Sequence, residues 1–360
     1  MAHSIRYGVV GTGMMGVEHI LNINALDGAE VTAISDPDAG SRATGAEAAG
    51  ISGEAVFSDH KDLIASGLCD AVVVASPNHT HIDVLPDLTG AGLHVLAEKP
   101  LCTTVEDCRT AVESVGDHDA VVWMGMEYRY KPPIARLVEE VKNGAVGRVH
   151  MVAIREHRFP FLEKVGNWNR FNRNTGGTLV EKCCHFFDLM NLIIDAEPVR
   201  IYASGGQSVN HVDELYDGEA PDILDNAYVV VDYDNGARAM LDLCMFAEGS
   251  RNEQEIAVTG DVGKVEAFVP EAIVRIGRRA DGSAEEHVVS DARVAYDGLH
   301  EGSSYLEHLD FRDAIVNHTP PKVTLTDGMR AVAIGVAAHL SIEEGRPVMF
   351  DEVLVPGRDL

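Results

Sequence analysis

Basic residues are scarce in this chain: 29 Lys and Arg stand against 57 Asp and Glu, a formal net charge of -28 over 360 residues. Nucleic-acid and anionic-membrane surfaces need a basic patch, so neither partner is expected. Long apolar runs are missing as well, and none reaches membrane-spanning length. The opening "MAHSIRYGVVG" reads as entering a strand almost at once, so no signal peptide is expected. Six cysteines (Cys69, Cys102, Cys108, Cys183, Cys184, Cys244) show no C-x-x-C spacing. Reduced thiols in a cytoplasm are therefore expected, with adjacent Cys183 and Cys184 serving as small hydrophobes. No internal repeat or low-complexity tract stands out. The excess acid reads as a solvated surface.

What is present is an ordinary globular composition, 46% hydrophobic and 24% charged, with length enough for two cores. The first third alternates strand and helix. "IRYGVV" (Ile5–Val10) is a continuous apolar run suited to a strand covered on both faces. A helix from Met14, a strand "EVTAIS", a helix ended by Gly50, and strands "DAVVVAS", "HVLAEK" and "AVVWMG" follow, with helices between the last three. Repeated β-α units predict a parallel, doubly wound sheet, a Rossmann domain over residues 1–126. From 127 to 360 the pattern changes. A helix opened by Pro132 and Pro133 leads to a strand, a buried helix, and strands in hairpin-like succession, one pair around Asn235-Gly236. This predicts an α/β domain with an open, mostly antiparallel sheet. The acidic stretch Gly205–Asn226 reads as a surface loop, near the cleft or at an oligomer contact.

"VVGTGMMGVEHIL" places Gly11, Gly13 and Gly16 in G-x-G-x-x-G between the first strand and helix. The first glycine permits a tight turn, the second lets backbone approach a pyrophosphate, and the third lets helix pack on strand. Gly11, Thr12, Gly13, Met14 and Met15 are thus expected on a dinucleotide, at a helix N-terminus that favours anions. Asp36 ends the second strand, where a carboxylate accepts both ribose hydroxyls of NAD and repels the 2′-phosphate of NADP. NAD is the expected cofactor, in preference to NADP.

The buried helix carries a puzzle. "GGTLVEKCCHFFDLMNLII" (Gly176–Ile194) is apolar almost all round, yet Glu181, His185 and Asp188 stand at i, i+4 and i+7. Buried charge costs several kcal/mol unless it is paired or used. Zinc is not expected, because His185 and Glu181 recruit no H-E-x-x-H partner or cysteine pair; no metal is assigned.

The glycine loop, "SPNHTH" (Ser76–His81), "AEKP" with Glu98, Lys99 and Pro100, and "GGTLVEKCCHFFD" occur in an order and spacing that resembles the Gfo/Idh/MocA family, the glucose–fructose oxidoreductase and inositol dehydrogenase relatives. The tail "SSYLEHLDFRDAIVNHTPPKVTLTDGMRAVAI" is similar too, so the likeness covers nearly the whole chain. The resemblance implies a Rossmann domain joined to an α/β substrate domain, the latter often used for oligomerisation, with a C-terminal helix able to pack back on the first domain. It implies NAD-dependent oxidation of a secondary alcohol on a sugar or cyclitol, with myo-inositol 2-dehydrogenase-like activity the specific expectation, in a homo-oligomer (dimer or tetramer). By position, Lys99 is the family's lysine and His185 its catalytic histidine. Glu181 stands where inositol dehydrogenase-like members carry an aspartate. Ser76, Asn78, His81, Glu98 and Lys99 are implied at the cofactor. Lys99, Arg129, Glu181 and His185 are implied at the substrate, where His157 and Trp168 could also read hydroxyls.

On that reading the polar ridge becomes the floor of an interdomain cleft. His185 takes the hydroxyl proton, Glu181 holds its tautomer, and Lys99 supports the alkoxide. The alternatives are an NAD-dependent glycosidase working through transient oxidation, and a non-catalytic NAD-binding regulator.

Overall fold

The structure, a computed structural model, describes residues 4–116 and 119–355. The chain begins with β1 (Ile5–Val10), α1 (Met14–Asn24), β2 (Ala29–Ser35), α2 (Ala39–Ala49), β3 (Val56–Phe57) and α3 (His60–Ser66). It continues through β4 (Ala71–Val74), α4 (His81–Gly90), β5 (His94–Ala97), α5 (Val105–Ser114) and β6 (Val122–Met124). The six strands form one parallel sheet in the order β3-β2-β1-β4-β5-β6. Continuous apolar runs sit in its middle, β4 being buried at every residue, because helices cover both faces. Connections leave β1 and β4 in opposite directions, which opens a ligand crevice at the strands' carboxyl ends. Local chemistry sets the helix ends: Asp38 caps α2 by accepting from Ser41 N–H, and Gly50 closes it at φ +68°.

The remaining elements are α6 (Pro132–Lys142), β7 (Val149–His157), α7 (Asn172–Thr175), α8 (Thr178–Glu181), α9 (Cys184–Ile194), β8 (Pro198–Gly206), β9 (Asn226–Tyr233) and β10 (Arg238–Cys244). Then follow β11 (Gln254–Gly260), β12 (Gly263–Val269), β13 (Ile273–Arg278), β14 (Ala284–Val288), α10 (Ser303–Asn317), α11 (Leu325–Glu344), β15 (Val348–Met349) and α12 (Phe350–Leu354). Nine strands make a second sheet, β14-β13-β12-β11-β7-β10-β9-β8-β15. Every neighbouring pair is antiparallel except β7 with β10.

Two compact units emerge, neither contiguous in sequence. The first takes the chain up to Tyr130 with Lys164–Trp168 and Ala292–Met329; the second takes Lys131–Glu163, Asn169–Asp291 and the chain from Arg330 onward. In the first, α10 adds Phe311 to the sheet's aromatic core, edge-on to Tyr7 at 6.2 Å and Trp123 at 6.1 Å. In the second, Phe186, Phe187, Leu189 and Met190 of α9 are fully buried, as are the sheet residues Val152, Ile154 and Ile256, and α9 packs on β7.

The single helix expected over Gly176–Ile194 is two. Gly177 at φ +85° starts α8, which ends at Glu181, and α9 restarts after Lys182 and Cys183. Both linking residues keep right-handed dihedrals, so the chain bends there without reversing. The stretch expected as a loop over Gly205–Asn226 opens with the end of β8 and is braced by Asp225. That carboxylate accepts the backbone N–H groups of Ser208, Val209 and Asn210 at 2.7–3.0 Å. All six cysteines are free and all but Cys244 are buried.

Candidate functional site

In the first unit the glycine loop leaves β1 and turns into α1 at the carboxyl edge of the sheet. Gly11 lies at φ +86°, and a Cβ there would stand 2.5 Å from the backbone nitrogen of Ser76. At Gly16 a Cβ would stand 1.9 Å from the carbonyl oxygen of Gly11. Only glycine fits these two places, one for the turn and one for the helix's approach. Gly13 is different: a Cβ would meet nothing within 4 Å, so the loop is open on that side. No side chain caps the first turn of α1. Its N–H groups are therefore oriented for an anion, and the loop fits a dinucleotide's pyrophosphate.

Asp36 follows β2 directly. Its Oδ2 accepts Thr12 N–H at 2.7 Å and its Oδ1 accepts Asp38 N–H at 2.8 Å. Each oxygen keeps a lone pair, the arrangement that suits two ribose hydroxyls. Arg42 donates to the carbonyls of Asp36 and Pro37 at 2.6 and 2.8 Å, fixing the turn. Met14 opens α1 and is exposed, and Met15 follows it. Ser76 and Asn78 lie on the turn after β4, where Thr80 donates to Ser76 Oγ at 2.8 Å.

Two residues expected on the cofactor are turned into the protein. The His81 ring is fully buried, with Nε2 3.0 Å from the Ser76 carbonyl and Nδ1 3.0 Å from that of Pro100. Burial lowers its pKa, and the neutral ring, with one N–H, donates to the carbonyls on one side only while it packs between the β4 and β5 loops. Glu98 is also buried: Oε1 lies 2.8 Å from His19 Nε2 and Oε2 accepts Lys99 N–H at 3.0 Å. Burial alone would raise the Glu98 carboxyl. The His19 hydrogen bond and the charges of His19, Lys99 and His300 outweigh it and bring the value to about 2. Lys99 itself follows β5, on the same sheet edge as the glycine loop.

Arg129 sits on the short turn Glu127–Tyr130, its guanidinium 3.7 Å from Asp327. The Trp168 ring stands edge-on to His79 at 6.3 Å, and Lys164 Nζ lies over it at 5.8 Å. This places Trp168 with the turn that carries Ser76 and Asn78.

The second unit holds the other group. Glu181 ends α8, and His185 lies in the first turn of α9; both are buried, as are Lys182 and Asp188. His339 of α11 lends its Nε2 to Leu179 N–H at 3.1 Å, and a Cβ on Gly177 would strike that ring. The α8–α9 bend is pinned by Lys182, whose Nζ lies 3.0 Å from Oε1 of the fully buried Glu156 on β7. Gln254 donates to the other Glu156 oxygen at 2.8 Å and receives Lys131 at 3.4 Å.

His157 and Glu156 lie on opposite faces of β7. Strand alternation sends Val152, Ile154 and Glu156 to the buried face of β7 and His157 to the opposite face, where it pairs with Asp242 at 3.0 Å. Sequence reasoning missed His19, His308, Glu156 and Lys182. The available signal was a polar residue on the apolar face of α1 and a lysine inside a buried helix. Among the described residues no group of three or more His, Cys, Asp or Glu is arranged to hold a metal ion.

Comparison with known proteins covers the same ground. Residues 5–126 match the family described as "Oxidoreductase family, NAD-binding Rossmann fold", and residues 138–350 match "Oxidoreductase family, C-terminal alpha/beta domain". The myo-inositol 2-dehydrogenase of Thermotoga maritima is 30% identical over 97% of this chain and all of its own length. Inositol 2-dehydrogenase 1 of Saccharopolyspora erythraea is 28% identical over 96% of each chain. The structure of levoglucosan dehydrogenase with NADH and levoglucosan shares the fold at a TM-score of 0.84 and 20% identity, covering 96% of this chain and 99% of its own.

Proposed function

The chain belongs to the Gfo/Idh/MocA oxidoreductase family, and from that premise we propose that it oxidises a ring secondary alcohol of a cyclitol, as a myo-inositol 2-dehydrogenase does, to the ketone. It is an NAD-dependent oxidoreductase acting on CH–OH groups. One observation carries the cyclitol reading furthest: the full-length similarity to the Thermotoga maritima myo-inositol 2-dehydrogenase.

Bound NAD supplies the nicotinamide carbon that accepts the substrate's hydride. The chain supplies the rest. The loop Gly11–Met15 and Asp36 bind the cofactor, with Ser76 and Asn78 beside them. His185 accepts the hydroxyl proton, and Glu181 holds the imidazole in the accepting tautomer and offsets its charge afterwards. Lys99 donates a hydrogen bond to the oxygen as it becomes an alkoxide. In the reverse direction the same groups protonate the ketone oxygen. Such acid–base help is worth roughly 10²–10⁴ in rate. Arg129 and Trp168 are the candidates for reading the remaining hydroxyls.

We place the enzyme in the cytoplasm, in keeping with its free cysteines. We assign it a homo-oligomer formed through the outer face of the nine-stranded sheet. Tyr202, Val230 and Met240 form one exposed cross-strand row there, with Tyr228 and Met151 beside it. Light scattering that shows a monomer at micromolar concentration would remove this assignment.

The functional test is a panel of cyclitols and sugars with NAD and NADP, followed by absorbance of the reduced nicotinamide, on wild type, Lys99→Ala and His185→Ala. Both variants should bind NAD as wild type does and lose at least ~100-fold in turnover. Unchanged turnover in both refutes the residue roles. Glycoside hydrolysis without net NADH would replace the dehydrogenase reading.

A further inference from the structure

Behind the Lys99 loop lies a polar chain that the proposed chemistry does not use. His308 on α10, His19 on α1 and Glu98 after β5 are all buried in the first unit. His308 Nε2 lies 2.8 Å from His19 Nδ1, and His19 Nε2 lies 2.8 Å from Glu98 Oε1. The remaining carboxylate oxygen, Oε2, takes the Lys99 backbone N–H. Both Glu98 oxygens are thereby engaged, one on the helix that begins at the phosphate loop and the other on the peptide that carries Lys99.

Hydrogen-bond logic fixes the link that matters. A carboxylate only accepts, so His19 Nε2 carries the hydrogen that Glu98 receives. Burial holds His308 neutral, well below the ordinary histidine range, and its Nε2 closes the other side of the His19 ring at Nδ1. A buried carboxylate persists only while it is paired and hydrogen-bonded. Without His19, Glu98 would have to take up a proton or turn away, and either change weakens its hold on the Lys99 amide.

We propose that His19 is a positioning residue for Lys99. Through Glu98 it fixes the first peptide after β5, so that the lysine leaves the sheet edge in one orientation. The importance of that orientation rests on the proposed role of Lys99. Its existence does not, and the test separates the two. A second consequence follows from α1, which carries the phosphate loop at its start and His19 on its buried side: the cofactor cradle and the Lys99 peptide are referenced to one rigid helix.

The experiment compares wild type with His19→Leu and His19→Gln; the glutamine amide restores a donor to Glu98 and the leucine does not. Hydrogen exchange of the Lys99 amide, read by NMR in cofactor-free protein, should quicken at least ~10-fold in His19→Leu and return to within ~3-fold of wild type in His19→Gln. Turnover should follow, with kcat down ~10–100-fold in His19→Leu, KM values and NAD affinity within ~3-fold, and most of kcat recovered in His19→Gln. Equal losses in the two variants would mean a packing role and overturn the proposal, as would unchanged exchange in His19→Leu. If His19→Leu does not fold, the ring nitrogens of His19 in the unmodified protein decide: an unprotonated Nε2 overturns the proposal and a protonated, hydrogen-bonded Nε2 upholds it. Should Lys99→Ala retain full turnover, the catalytic reading fails while the exchange measurement still judges His19.

Discussion

Acidification should unfasten the helix that ends in Glu181, and His339 sets the size of the effect. Its ring is buried and its Nε2 accepts Leu179 N–H at 3.1 Å, which is possible only in the neutral form. Burial lowers its pKa from 6.5 to about 4. A histidine depressed on folding contributes its full stability above the unfolded value. Between pH 6.5 and 4 the unfolded chain binds a proton that the folded chain refuses, so stability falls as the pH falls. A gap of roughly 2.5 pH units, at 1.36 kcal/mol each, sets a limit near 3 kcal/mol, reached below about pH 4.

His81 and His308 shift in the same direction, so the wild-type curve alone does not isolate one ring. The comparison is His339→Gln, which keeps an acceptor for Leu179 N–H and cannot titrate. Urea unfolding followed by far-UV circular dichroism, from pH 7.5 to 4, gives two stability curves. Wild type should lose about 3 kcal/mol more than the variant over that range, nearly all of it below pH 6.5. Exchange of the Leu179 amide in wild type should quicken over the same window. Parallel curves would refute the reasoning, because the His339 ring would then titrate alike folded and unfolded.

Two further outcomes follow from the site. Asp36→Ala removes the Thr12 N–H anchor and the acceptor proposed for the ribose hydroxyls; the KM for NAD should rise at least ~10-fold while that for NADP rises less, and an unaltered NAD/NADP ratio in steady-state kinetics would count against the assignment of Asp36. Lys182→Met leaves the buried Glu156 without its nearest cation and should cost about 3 kcal/mol in urea unfolding at pH 7.5. The double variant with Glu156→Gln should recover most of that loss, and simple additivity would show that the pair is not coupled.

The parallel sheet was legible because its physics is local. A strand covered on both faces must be apolar throughout, and Ile5–Val10 emerges with the bounds its run of apolar residues predicts. The glycine loop was legible for a similar reason, since Gly11 and Gly16 stand where any Cβ would overlap backbone. β3 escaped notice because two residues carry no period. β8 alternates, yet its last residues fell inside a stretch read as loop, and only pairing with β9 and β15 reveals it. The break at Lys182–Cys183 leaves no trace in a helix that is apolar all round. It is set by Glu156, Gly177 and His339, residues far apart in sequence.

The site shows the same division one residue at a time. His157 and Glu156 are neighbours, and the sequence favoured the histidine because its chemistry is the more familiar. On β7 a shift of one residue exchanges the faces of the sheet, and it is Glu156 that reaches Lys182. The outward Met151 hides the alternation that would have told them apart. Glu98 and His81 turn inward for a related reason: motif position locates a loop but says nothing about which way a side chain turns once its neighbours compete for it. Glu98 turns inward because His19, five residues into α1, offers a buried N–H that water cannot replace. Motifs therefore identify the groups that must meet a ligand through backbone, whereas residues that hold those groups in place become visible only when their partners are. If that division is general to this fold, substitutions at His19, Glu156 and Lys182 will impair turnover without touching the substrate, and a search for specificity belongs at Arg129 and Trp168.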